Sequence, residues 1–168
     1  MDVLNTAVEA AEKNGITTIA VASTSGETAA KLFEVLRGKK VKMIVVTYDQ
    51  GRLPPERRFR DDILRDLLEN GVTVYAHRCR LLFWRKLIGR LGLNPWYKYL
   101  RSIRERYGTG IKVCFIIVQM LMEGGILREG KVVAIAGEKK GADSAAIFVV
   151  SQKDKWPILE EIISSPSS

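Results

Sequence analysis

The sequence predicts an α/β fold in which a mainly parallel sheet is covered by helices on both faces. Short β-branched runs alternate along the chain with stretches of helical apolar spacing, the pattern of strand–helix–strand units. Two of the turns that follow strand-like runs are rich in Gly and hydroxyl residues. With 168 residues and 46% hydrophobic content, the chain can bury one sizeable core, which predicts a single domain over 1–168.

Each element has its own signal. Val3, Ala7, Val8, Ala10 and Ala11 share one helical face, and Asn14-Gly15 is a helix stop. "ITTIAVA" (16–22) is a β-branched run between turn signals and predicts the first strand. Ala29, Leu32, Phe33 and Leu36 define a helix over 26–37, and "VKMIVVT" (41–47) a second strand. Pro54 and Pro55 open a charged amphipathic helix to residue 69, before Gly71 and the strand "VTVYA". Two basic helices follow over about 80–106, split by Asn94-Pro95. A mostly apolar helix over about 110–123 ends at Gly124-Gly125, and "KVVAIAG" and "AAIFVV" supply two last strands before a short "SSPSS" tail.

In open α/β sheets ligands bind beyond the carboxyl ends of the strands, where the strand order reverses. This selects Ser23 to Thr28, Tyr48 to Gly51, His77 with Arg78, and Gly137 to Ser144. The first stretch, "STSGET", gathers Ser23, Thr24, Ser25 and Thr28 around Gly26 where a strand runs into a helix. The first N–H groups of a helix lack internal partners and sit at the positive end of its dipole, so this turn can hold an anion. The alternative is a capping box, with Thr24 as the cap and Glu27 reaching back.

The motifs resemble a known family. "AVEAAEKNGITTIAVASTSGETAAKL" followed by "IVVT", which ends on Thr47, looks like the start of the C-terminal domain of pyruvate kinase. "GKVVAIAGEKKGADSAAIFVV" is similar to that domain's closing pair of strands and their glycine-rich loop. Through "ASTSGETA", "GIKV" and "IAGEKKGADSA" the chain resembles most the stand-alone archaeal pyruvate kinase α/β domain proteins.

The resemblance implies a three-layer α/β/α domain with a mainly parallel five-stranded sheet, order 3-2-1-4-5, the last strand antiparallel. The Ser23–Thr28 turn and the Gly137–Gly141 loop would then face each other across the reversal. It implies a phosphate-binding crevice with a regulatory or carrier role, because that turn grips a phosphate of a sugar bisphosphate in allosteric kinases. It also brings flavin mononucleotide (FMN) in as a candidate cofactor. Allosteric kinases usually carry a basic residue where this chain has Glu27, and Lys139 and Lys140 would offset that charge. Asp143 could hold a ribityl or ribose hydroxyl beside Ser144. Lys112 matches a lysine of the relatives, but Ile116 stands where they usually have a glutamate. The kinase reaction belongs to a barrel that 168 residues cannot contain, so pyruvate kinase activity is not expected of this chain alone.

His77, the sole histidine, follows the third strand and is either a general base or a hydrogen-bonded structural residue. No Ser or Cys nucleophile pairs with it by spacing, which favours binding over catalysis. Cys79 and Cys114 lack C-x-x-C spacing, so neither a disulfide framework nor a zinc site is expected. There is no long apolar run for a membrane span, and Asp2 and Glu9 stand where a leader would be, which points to the cytoplasm.

The net charge of +8 has one source. Residues 77–107 carry Arg78, Arg80, Arg85, Lys86, Arg90, Lys98, Arg101, Arg104 and Arg106 against Glu105; without them, the 27 basic and 19 acidic residues fall to 18 of each. Phe83, Trp84, Trp96, Tyr97, Tyr99 and Tyr107 are interleaved. This module suits single-stranded nucleic acid, an anionic surface, or simple packing of its aromatics on the domain or a second copy. Non-specific polyanion binding at low salt follows from charge alone.

Overall fold

A computed structural model describes residues 2–48, 54–55, 58–77, 95–137 and 141–166. Its sheet has six strands in the order β3-β2-β1-β4-β5-β6: β1 (Thr18–Ala22), β2 (Lys42–Tyr48), β3 (Thr73–His77), β4 (Gly130–Ala136), β5 (Ser144–Val150) and β6 (Ile158–Ser164). β1 pairs in parallel with β2 and β4, and β2 with β3, whereas β5 runs antiparallel to both β4 and β6. The expected five-strand order stands, with a sixth strand added at its end. β6 reads "ILEEIIS", whose two central glutamates break apolar alternation, and its pairing with β5 carries register shifts. Neither feature gives a clean period-two signal.

Both faces of the sheet are buried, as a doubly covered sheet requires. Ile19, Val21, Val45, Val133, Ile135 and Ile147 point into one core with α1 (Val3–Lys13), α2 (Glu27–Leu36) and α3 (Asp61–Glu69). Their strand neighbours Ala20, Ile44, Val132, Ala134, Ala146 and Phe148 point into a second core under α4 (Pro95–Glu123). The result is three layers. α1 buries Leu4, Ala7, Val8 and Ala11 and is capped by Asp2, whose carboxylate accepts from Leu4 N–H at 3.3 Å.

Two helices differ from expectation. α3 begins at Asp61 rather than Pro55; Pro55 instead accepts at its carbonyl from Arg58 N–H, closing a separate turn, and Arg60 is the N-cap. The second basic helix and the apolar helix are one element, α4, broken at Gly108 by left-handed backbone (φ 85°, ψ 174°). The arm before Gly108 buries Trp96, Leu100 and Ile103, and the arm after it buries Ile111, Cys114, Phe115, Val118 and Leu121. The expected first basic helix over 80–94 lies outside the described residues. Among those described, no helix is long and apolar enough to cross a membrane.

Candidate functional site

The order of the sheet reverses between β1 and β4, and both strands end at the same edge. Three segments meet that edge: the turn from β1 into α2, the loop from β4 into β5, and the start of the second arm of α4. The first two are the pair expected to face each other.

In the β1–α2 turn, Ser23 continues the ladder by donating its N–H to Val46 O at 3.1 Å. Its buried hydroxyl oxygen accepts from Ala29 N–H at 3.4 Å and ties the turn to the helix. Gly26 is the N-cap, left-handed at φ 95°, and no side chain caps α2. The capping box is therefore not made, and the first-turn amides of Glu27 and Thr28 receive no side-chain cap. Thr24 is exposed, while Ser25 and Thr28 are half-buried with hydroxyls at the helix entrance.

A neighbouring segment escaped sequence reasoning. A Cβ on Gly26 would lie 2.7 Å from the Phe59 ring, so the missing side chain accommodates Phe59 rather than a ligand. Arg60 N–H donates to Ser25 O at 3.0 Å, which fastens the approach to α3 against the turn. The Arg60 guanidinium grips Asp62 through Nε (3.1 Å) and a second N–H (2.5 Å). Hydrogen bonding and charge from Asp62, with a smaller contribution from Glu27, hold it above its ordinary pKa. Arg60 is thus an exposed cation near Glu27. Its only sequence signal is position: it precedes the acidic first turn of α3.

In the β4–β5 loop, a Cβ on Gly137 would lie 1.8 Å from Gly141 O, so the chain closes on itself there. Gly141 is left-handed at φ 84°. Asp143 N–H donates to Ala136 O at 3.1 Å. Ser144 is fully buried and donates its hydroxyl to Asp143 Oδ1 at 2.7 Å, so it orients Asp143 instead of meeting a ligand itself. A Cβ on Gly110 would fall 1.9 Å from Ser144 Oγ and 2.9 Å from Asp143 Oδ1, so the second arm of α4 presses its first turn against this pair. Lys112, half-buried, stands in the same turn. Ile116 is half-buried and packs on the second core. Thr47 is buried in β2 opposite Ala76. His77 ends β3 opposite Tyr48 at the same sheet edge. Lys139 and Lys140 lie outside the described residues, as do Gln50, Gly51 and Arg78.

The family model for the pyruvate kinase alpha/beta domain matches residues 2–150. This chain belongs to that family. In this pyruvate kinase alpha/beta domain the matched segment contains β1 to β5 and both loops at the reversal, whereas β6 lies beyond it. Two surface grooves lie away from the reversal, one on α3 between Asp61 and Glu69, the other at the opposite end of the sheet.

The basic module is described only from Pro95 onward. There the aromatics face inward. Trp96 is buried, and Tyr99 stacks on Trp156 at 5.2 Å with its edge to Phe115. Lys98, Arg101, Arg104 and Arg106 are exposed, with Arg101 bonded to Glu105 at 2.8 Å. This arm presents charge outward and keeps its Trp away from any base that might stack on it.

Proposed function

We propose that this pyruvate kinase alpha/beta domain binds the phosphate end of a phosphorylated small molecule, FMN among the candidates, in the crevice where β1 and β4 end, in a regulatory or carrier role. The observation that carries this reading is the entrance to α2. Three hydroxyls cluster at a helix start that no side chain caps, a combination that favours an anion at that point. Lys112 and Arg60 supply cationic charge beside the crevice. Asp143, oriented by Ser144, suits a sugar or ribityl hydroxyl. Glu27 opposes a phosphate and sets its affinity lower than a basic residue would.

The test is titration of FMN and riboflavin into the full chain, followed by flavin fluorescence. FMN should bind, and riboflavin, which lacks the phosphate, at least about tenfold more weakly. Glu27→Lys, at an exposed position, should tighten FMN and leave riboflavin unchanged. The double change Ser25→Ala, Thr28→Val should weaken FMN. Equal binding of the two flavins, or indifference of FMN to Glu27→Lys, refutes a phosphate site at this turn.

A further inference from the structure

At the end of the sheet remote from the crevice, a groove of about 300 Å³ lies between the last turns of α4 and the segment after β5. Gln119, 6% exposed, stands in its wall. The Gln119 amide nitrogen donates to Glu123 Oε1 at 3.1 Å and to Lys155 O at 3.4 Å. Both partners are acceptors, which fixes the orientation of the amide, since a flipped group would set oxygen against oxygen. Gln119 Oε1 is left buried with no donor among the described residues. A buried acceptor in that condition costs about 1–3 kcal/mol. It marks where a donor belongs.

The rest of the groove narrows the chemistry of that donor. The Glu123 carboxylate, exposed and one helical turn on, adds negative charge beside Gln119, and Asp154 adds more at the rim. The two cations of the rim are engaged elsewhere: Arg128 Nε donates to Gly125 O at 3.4 Å, and the Lys155 ammonium sits over the Trp156 ring at 5.8 Å. Met122 and Leu127 give an apolar wall. We infer that this groove binds a small primary amine as its ammonium ion, one N–H reaching Gln119 Oε1, another Glu123, with the alkyl part along Met122 and Leu127. A rotation of the long Met122 and Glu123 side chains opens the way to the buried oxygen. Nothing in this inference depends on the phosphate crevice.

The experiment uses the full chain labelled with ¹⁵N and titrated with n-butylammonium chloride, against tetramethylammonium chloride at the same ionic strength. Butylammonium should shift the side-chain amide resonance of Gln119, and tetramethylammonium, a cation with no N–H, should not. Glu123→Gln and, separately, Gln119→Met should each weaken butylammonium by about tenfold or more. The Glu123 variant alters an exposed side chain, so it keeps the test valid if Gln119→Met folds poorly. An unmoved Gln119 resonance, or equal response to both cations, would show that Oε1 is served by a water only and would overturn the inference.

Discussion

Two single residues make the packing at the reversal unforgiving. Gly110 is the only residue type that fits where the second arm of α4 meets Ser144, because any Cβ would overlap the serine side chain. Gly110→Ala should therefore lower unfolding free energy by about 1–3 kcal/mol in urea denaturation, and Ser144→Gly in the same chain should restore part of it. One turn further on, Cys114 lies fully buried with its thiol near Ala134 O at 3.4 Å. Burial, and secondarily the charge of Asp143, push that thiol far above its ordinary value of 9.0. In a Cys79→Ser chain, where Cys114 is the sole thiol, maleimide should leave the native protein unlabelled at neutral pH and label it in denaturant; native labelling would contradict the packing. The sign of the pH effect follows. A raised folded pKa leaves stability intact below the ordinary thiol pKa and removes it as pH climbs past about 9, a slope that Cys114→Ala should lack.

At the level of elements, α4 and the segment after β5 work as a clamp. Trp156 stacks on Tyr99 in the arm before Gly108, while the adjacent Lys155 carbonyl accepts from Gln119 in the arm after it. Removing the indole takes away one jaw only. Trp156→Ala should cost about 1–2 kcal/mol and speed hydrogen exchange at Leu100 and Ile103 with little change at Phe115 and Val118; equal loss in both arms would show that Gly108 does not separate them. How legible these elements were depended on periodicity. The helix and strand signals of α1, β1, α2 and β2 were regular and predicted the observed elements closely. Pro55 misled because a proline that suits a helix start equally suits the turn it occupies here. β6 was invisible because Glu160 and Glu161 interrupt its apolar residues, and only its neighbour β5 shows that an edge needed covering.

For the whole molecule, the site was legible as far as local chemistry reaches. The "STSGET" turn and the glycine loop were found by motif, but Phe59 and Arg60 reach the turn only through folding, and no spacing rule connects them to Gly26. The charge of the chain is likewise a global property. Residues 77–107 carry nine basic side chains against one acid, so affinity for a random single-stranded oligonucleotide should fall by orders of magnitude between roughly 50 and 200 mM salt, without sequence preference. A preference that survives physiological salt in a competition assay would overturn this, since Trp96 is buried and unavailable for stacking. The strand order also governs the history of each chain. β4, β5 and β6 are consecutive antiparallel neighbours whose pairing needs only short closures, whereas β1 must wait for β4, from which α2, β2, α3, β3 and α4 separate it in sequence. During synthesis, then, the strand at the centre of the finished sheet emerges early and spends most of translation with one flank bare. The step that joins β1 to β4 pays the largest loop-closure entropy and should set the folding rate. Ala134→Gly, which weakens β4 at the seam, should slow refolding more than a change of equal cost in α1.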